Sequence, residues 1–154
     1  MPAADRNEER AEHELEQLLN AVIPLAQRML ATHGQFYPFA AAVKQDGKLT
    51  FIPNAKEVQQ KPAPQSLADR LREQLIMGAS NGDYRATGLC QDVRVSLSGE
   101  MGRSDAVLIS IEHLNGRAMD VFLPYAADHE GDITYGEVFA SPADPVVFLQ
   151  HYDD

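Results

Sequence analysis

The stretch SDAVLISIEHLNGRAMDVFLPY, residues 104–125, decides the fold. Apolar side chains recur at every second position in both halves of this stretch, and a period of two is typical of β-strands. The dipeptide Asn115-Gly116 lies between the two halves and is a strong turn signal. The stretch is therefore predicted to form a hairpin of two antiparallel strands.

The length of the hairpin loop determines which side chains share a face of the sheet. A two-residue loop at Asn115-Gly116 would place Asp120 on the apolar face, where an unpaired carboxylate is costly. A three-residue loop, residues 114–116, shifts the pairing by one and gives Gly116 the left-handed conformation that such loops require. We predict this second register, because it gathers the apolar side chains on one face. They are Val107, Ile109, Ile111, Met119, Val121 and Leu123.

The opposite face of the hairpin carries a mixture of polar and apolar side chains, and this face is the candidate site. The preceding strand is predicted to follow the same rule, with its core residues alternating with polar ones. Its predicted core residues are Leu89, Val93, Val95 and Leu97. Apolar residues inside a polar rim often mark an interface. The candidate binding face consists of Asp92, Arg94, Leu108, Ser110, Glu112, Asp120 and Phe122.

The carboxylates of this face can be interpreted in two ways. The carboxylates of Asp92, Glu112 and Asp120 suit a hard cation, or an acid–base pair if burial separates their pKa values. An antiparallel sheet also commonly leaves one polar face in water or against a partner, and we favour this interpretation. His113 is predicted on the core side near its edge, so Glu112, His113 and Asp120 do not form a triad. No catalytic residue, metal ligand or cofactor is assigned.

Helices precede the sheet at two points in the sequence. Leucines and other apolar residues at spacings of three and four predict a helix up to Gly34, with a kink or break at Pro24. A second helix is predicted from Ser66, with Asp69 in a capping-box arrangement. A polar connector, residues 56–66, precedes that helix.

The remaining strands complete the predicted order. Residues 36–54 are predicted to form a hairpin with Asp46-Gly47 as its turn, and ITYGEVFA, residues 133–140, to form the last strand. The predicted fold is α+β, with a kinked N-terminal helix and a second helix packed on one face of an antiparallel sheet of about six strands. The order is α-β-β-α-β-β-β-β. We expect a single domain over residues 1–154, with residues 1–10 frayed.

The composition and net charge limit the classes of partner that we expect this protein to bind. The net charge is −10 and charged residues make up 23% of the chain, so nucleic acid and anionic membrane surfaces are unfavourable partners. The single Cys90 cannot form an intrachain disulfide, which suits a reducing compartment. No secretory signal and no apolar run of about 18 residues is present. We expect a cytoplasmic protein without membrane contact.

Three segments together resemble a widespread family of small single-domain bacterial proteins of unassigned function. They are QFYPFAAAVKQDGKL, then DVRVSL with SDAVLISIEHLNGRAMDVFLPY, and YGEVFASP. The resemblance extends from Gln35 to Pro142 and rests on strand and turn residues. It implies a bacterial cytoplasmic protein with an α+β fold, and it supplies no catalytic residues.

The sequence favours a non-enzymatic module that binds a protein partner or forms a homodimer through the exposed sheet face. An immunity or inhibitor-type protein is one form of this hypothesis, because an acidic chain suits a basic target. A small metal-dependent enzyme that uses the carboxylates of the sheet face is an alternative. A small-molecule sensor with a pocket between the helices and the sheet is another.

Overall fold

The computed structural model describes residues 3–53, 63–96 and 103–149. The predicted core residue Leu97 and most of the predicted connector, residues 56–62, lie outside these ranges. The helices and strands in chain order are α1 (Ala3–His33), β1 (Phe39–Lys44), β2 (Leu49–Phe51), α2 (Pro64–Ser80), β3 (Tyr84–Ser96), β4 (Arg103–His113), β5 (Ala118–Ala127), β6 (Ile133–Tyr135) and β7 (Phe139–Pro142).

The strands form one antiparallel sheet in the order β2-β1-β3-β4-β5-β6, and β7 also pairs with β5. The predicted α+β class and the order of helices and strands are confirmed. The predicted last strand is divided, because β7 pairs with residues 119–122 and β6 with residues 125–127 of β5. Pro124 lies between these two paired segments. The described sheet therefore has seven strands.

The hairpin of β4 and β5 has the predicted register. Ile111 lies opposite Met119 and Ile109 opposite Val121, as the three-residue loop requires. Gly116 has a φ of 101°, and its N–H donates to the carbonyl oxygen of His113. The first hairpin has the predicted turn as well, with Gly47 at a φ of 87°.

Helix α1 packs on one face of the sheet, which we call the α1 face. It begins at Ala3, within the segment for which fraying was predicted, and it continues through Pro24 without the predicted break. Val22 and Ala26 are both fully buried, so packing holds the helix on either side of the proline. A bend at Pro24 stays a prediction. The core on this face comprises Leu15, Leu18, Val22, Ala26, Leu30, Phe36, Phe39, Ala41, Val43, Ala86, Cys90, Val107, Ile109, Ile111, Val121, Leu123 and Tyr125.

Helix α2 packs on the opposite face, which we call the α2 face. The prediction that both helices share one face is therefore wrong. The reason lies in β1, where residues 39–43 are all buried and the three central ones are alanines. Ala41 faces the core of α1, while Ala40 and Ala42 face that of α2. The second core comprises Ala40, Ala42, Ile52, Leu67, Ala68, Leu71, Leu75, Leu89, Val147 and Phe148.

The start of α2 differs from the predicted one. The N-cap is Ala63, without a side-chain cap, and Pro64 occupies the first turn. Pro is favoured there because its fixed φ suits the helix and its missing N–H would have no partner. Ser66 is therefore inside the helix, and Asp69 accepts a hydrogen bond from Gln65 at 3.0 Å and does not cap the helix.

Helix α1 has 31 residues, but charged side chains recur along it. Among the residues that the structure describes, no helix combines the length and the apolar character needed to cross a membrane.

Candidate functional site

The predicted candidate face is divided between the two faces of the sheet. Cys90 lies opposite Ile109 and Asp92 opposite Val107, so these side chains and that of Arg94 project from the α1 face. The prediction that Asp92 and Arg94 share a face with Glu112 is therefore wrong. Near its start β3 is buried on both sides, because residues 86–90 lie between α1 and α2. Alternation along the sequence then no longer distinguishes one face from the other.

The other five candidates do share the α2 face. Leu108 lies opposite Phe122 and Ser110 opposite Asp120, while Glu112 lies one row nearer to the hairpin loop. A metal site formed jointly by Asp92, Glu112 and Asp120 is incompatible with this arrangement, because Asp92 projects from the other side of the sheet.

Glu112 holds the C-terminal part of the described chain, residues 143–149, which we call the strap. Its carboxylate is 5% exposed and accepts hydrogen bonds from three consecutive backbone N–H groups, those of Val146, Val147 and Phe148. These bonds are 2.9–3.1 Å long. Val147 and Phe148 are buried in the core of α2. The strap explains why a carboxylate is buried here, since a charge away from water needs hydrogen-bond donors.

Asp120 and Ser110 face a crevice of about 540 Å³ between α2, the sheet and the strap. Arg72 of α2 and Asp144 of the strap also line this crevice. Asp120 is half-buried, and no described residue donates a hydrogen bond to its carboxylate. The crevice therefore brings charges of both signs together at the edge of the strap.

Beyond this crevice and away from α2, the same face of the sheet carries apolar side chains that belong to neither core. Leu108, Phe122 and Phe139 form one row across three neighbouring strands. Val93, Ala106 and Pro124 form the next row. The rings of Phe122 and Phe139 are stacked with centroids 4.9 Å apart. We call the surface formed by Val93, Leu108, Phe122, Pro124 and Phe139 the open face; Ala106 lies in the same row as Val93 and Pro124 but is fully buried.

The open face has no charged side chain. Its remaining described members by register are Gln91 and Val95 of β3 and Ser104 of β4, and these are uncharged as well. Phe139 is 41% exposed, and Val138 beside it is 54% exposed. An uncharged, partly exposed apolar surface is unusual in a chain whose net charge is −10.

On the α1 face, Asp92 connects the sheet to the segment that follows α1. Its carboxylate accepts a hydrogen bond from the hydroxyl of Tyr125 at 2.5 Å and one from the backbone N–H of Phe36 at 3.3 Å. Burial raises the pKa of Asp92, although these two hydrogen bonds oppose the increase. Burial and the neighbouring Asp92 also raise the pKa of Tyr125. Asp92 thus has two internal partners and anchors Phe36.

A buried polar cluster between α1 and the hairpin loop was not predicted. Nε2 of His113 donates to Glu14 at 2.8 Å, and Nε of Arg85 donates to the other carboxylate oxygen at 2.7 Å. The backbone N–H of Asn115 donates to Nδ1 of His113 at 3.0 Å. Burial alone would raise the pKa of Glu14, but the hydrogen bonds from Arg85 and His113, together with the charge of Arg85, lower it below its usual range.

Both ring nitrogens of His113 have internal partners, so the ring has no free nitrogen to act as a base on a substrate. The predicted position of His113 on the core side is confirmed, and it is 3% exposed. One sequence signal points to Glu14: it lies three residues after Ala11 and four before Leu18, on the buried stripe of α1.

Other reactive groups give no site in the described chain. Cys90 is buried, and this burial raises the pKa of its thiol well above the usual value, so a reactive thiolate is disfavoured. Within residues 3–53, 63–96 and 103–149, no group of three or more His, Cys, Asp or Glu side chains has the geometry to hold a metal ion.

Comparisons with known proteins identify no relative: no family model, curated protein or solved structure matches the chain.

Proposed function

We propose that the protein is a non-enzymatic binding module that self-associates through its open face. The observation that supports this proposal is the absence of charge on the open face of a strongly acidic chain. Apolar surface of this kind gains free energy when it is removed from water. Aromatic side chains such as Phe122 and Phe139 are also enriched where proteins associate.

A second copy of the chain is the occupant that the charge distribution favours. Two chains of net charge −10 repel each other, so they associate best through surfaces that carry no carboxylates. A basic partner would instead be attracted by carboxylates, and the open face offers none. The proposal of a homodimer is therefore better supported than an inhibitor of a basic protein.

The size of the open face suits the centre of such an interface. It extends over β3, β4, β5 and β7, and three inter-strand spacings amount to roughly 14 Å. A stable interface buries about 800 Å² on each partner, so the polar residues around the open face would form its rim. Asp120 and Ser110 lie on one side of that rim, next to the crevice.

The internal partners of the ionisable candidates support a non-enzymatic protein. Glu112 holds the strap, Asp92 holds Phe36, and His113 is bonded at both nitrogens. A general acid or base must reach the proton that it transfers, and these three groups already have protein partners. The carboxylates that suggested a metal-dependent enzyme also project from opposite sides of the sheet.

The test is sedimentation velocity of the wild-type protein and of two matched variants. Phe139→Asp places a carboxylate on the open face, whereas Met77→Asp changes a 66% exposed residue of α2 outside that face. We expect a dimer for the wild type and for Met77→Asp. Because two carboxylates would be buried in the mutant dimer, Phe139→Asp should raise the Kd at least about 100-fold. Phe122→Asp should act in the same direction.

The dependence of the affinity on salt concentration distinguishes self-association from association with a basic partner. Screening weakens the repulsion between two acidic chains, so the dimer should become tighter between about 50 and 500 mM salt. A complex with a basic protein would become weaker over the same range. A wild-type protein that stays monomeric, or a Phe139→Asp variant that still dimerises as the wild type does, would refute the proposal.

A further inference from the structure

A cavity of about 550 Å³ lies at the C-terminal end of α1, on the side of the molecule away from the strap. Its volume is within the range of small-molecule sites. One wall is a stripe of α1 at spacings of four, and the others are the segment leading into β1 and the start of α2. The lining residues are Leu25, Met29, His33, Gln35, Phe36, Tyr37, Pro38, Phe39 and Pro64.

The wall of this cavity is held in place before any ligand binds. The rings of Phe36 and Phe39 are in an edge-to-face arrangement with centroids 5.7 Å apart. The backbone of Phe36 is anchored by its hydrogen bond to Asp92 on the sheet. The preceding Gly34 closes α1 by donating its N–H to Leu30 at 2.8 Å. A preformed pocket binds without the cost of ordering its own side chains.

The lining indicates the chemistry of the ligand. Among the lining residues that the structure describes there is no Asp, Glu, Lys or Arg, although such residues are 23% of the chain. Its ionisable members are His33 and Tyr37, and both are exposed at the mouth of the cavity. A charged ligand would lose its hydration without gaining an ionic partner from this part of the lining. Aromatic rings, a methionine and prolines instead offer contacts for a flat apolar molecule.

We infer that this cavity is a binding site for a small, uncharged aromatic molecule, and that Asp92 positions its wall through Phe36. The site is separate from the open face, and the inference does not depend on self-association. Asp92 contacts the wall and not the ligand, so its role is positional. It also explains why a half-buried carboxylate is retained on the α1 face.

The test uses N-phenyl-1-naphthylamine, an uncharged aromatic molecule whose fluorescence rises in apolar surroundings. It is titrated into the wild-type protein and into two variants with the same chemical change, Met29→Glu in the cavity and Met77→Glu on the exposed side of α2. We expect saturable binding of one probe per chain to the wild type. Met29→Glu should weaken binding at least tenfold, while Met77→Glu should change it less than twofold.

A second measurement on the unmodified sequence keeps the test independent of mutant folding. With the methionine methyl groups labelled with carbon-13, the probe should shift the resonance of Met29 and leave that of Met77 unchanged. The inference is overturned if the wild type shows no saturable binding, if the Met29 resonance does not move, or if both variants bind alike. Binding that Phe139→Asp abolishes would overturn it too, because the probe would then occupy the open face.

Discussion

Replacing Glu112 by alanine should detach the strap from the α2 face. The substitution removes the acceptor of the N–H groups of Val146, Val147 and Phe148. These groups then either remain buried without an acceptor or move into water together with the strap. The two routes have different costs, and both can be worked out from the contacts.

The cost of the buried route follows from the hydrogen bonds. Each unsatisfied buried donor costs about 1–3 kcal/mol, so the two buried donors, those of Val147 and Phe148, cost about 2–6 kcal/mol. Val146 is 45% exposed, so its N–H can turn to water. Detachment instead exposes Val147 and Phe148, at about 1.5–3 kcal/mol for each side chain, or about 3–6 kcal/mol together. Because the cheaper route sets the loss, Glu112→Ala should lower the free energy of unfolding by about 2–6 kcal/mol.

Hydrogen exchange and urea denaturation measure this effect, and the same sheet face supplies the control. In Glu112→Ala, the amides of the strap should exchange much faster than in the wild type, while those of β3 and β4 away from the strap should change far less. Asp120→Ala removes a carboxylate on the same face that no described residue binds, and its cost should stay within about 0.5 kcal/mol. The reasoning is refuted if the two variants lose equal stability, or if the strap amides of Glu112→Ala keep their protection.

Two further predictions concern α1 and α2. The partners of Glu14 lower its pKa in the folded protein below the ordinary 4.5. The carboxylate therefore contributes its full stabilisation above the pKa that it has in the unfolded chain. This stabilisation is lost as the pH falls through the pKa of Glu14 in the folded protein. Urea denaturation should therefore show that the difference between the wild type and Glu14→Gln shrinks below about pH 5, and a constant difference would contradict this. Gly78→Ala should destabilise the protein by about 1–3 kcal/mol in thermal unfolding, since the added methyl group would overlap the ring of Tyr84. In a Tyr84→Ala background the same change should stabilise α2, because alanine is the better helix former; equal effects in both backgrounds would show that the ring is not the cause.

The hairpin of β4 and β5 was predictable because two local signals agree. Only one register separates apolar from polar side chains, and that register also places Gly116 in the left-handed region. Both signals lie within residues 104–125 and need no information about the rest of the chain. Because these two local signals agree, the antiparallel sheet can be predicted from the sequence.

The division of the candidate site between two faces was not predictable from alternation in β3. Where helices cover both sides of a strand, odd-numbered and even-numbered residues are both apolar. The alternation of Leu89 and Val93 with polar residues then predicts the wrong face for the core. The sequence FAAAV of β1 is a signal that points to the correct arrangement, since five consecutive buried positions require cover on both faces. The partners of Glu112 are 34–36 residues distant along the chain, and those of Glu14 are 71 and 99 residues distant, so no local pattern reveals them.

The order in which the chain is synthesised leaves α1 without its packing partners for a time. Its apolar stripe leaves the ribosome well before the strands that bury it, and the histidine that binds Glu14 is made 99 residues after that glutamate. At about 5–20 residues per second, the helix waits for several seconds with this stripe uncovered. Glu8, Glu9 and Glu12 lie exposed around it, and their charge disfavours aggregation of the nascent chain during that interval. The acidity of the N-terminal helix thereby serves the protein before it is folded.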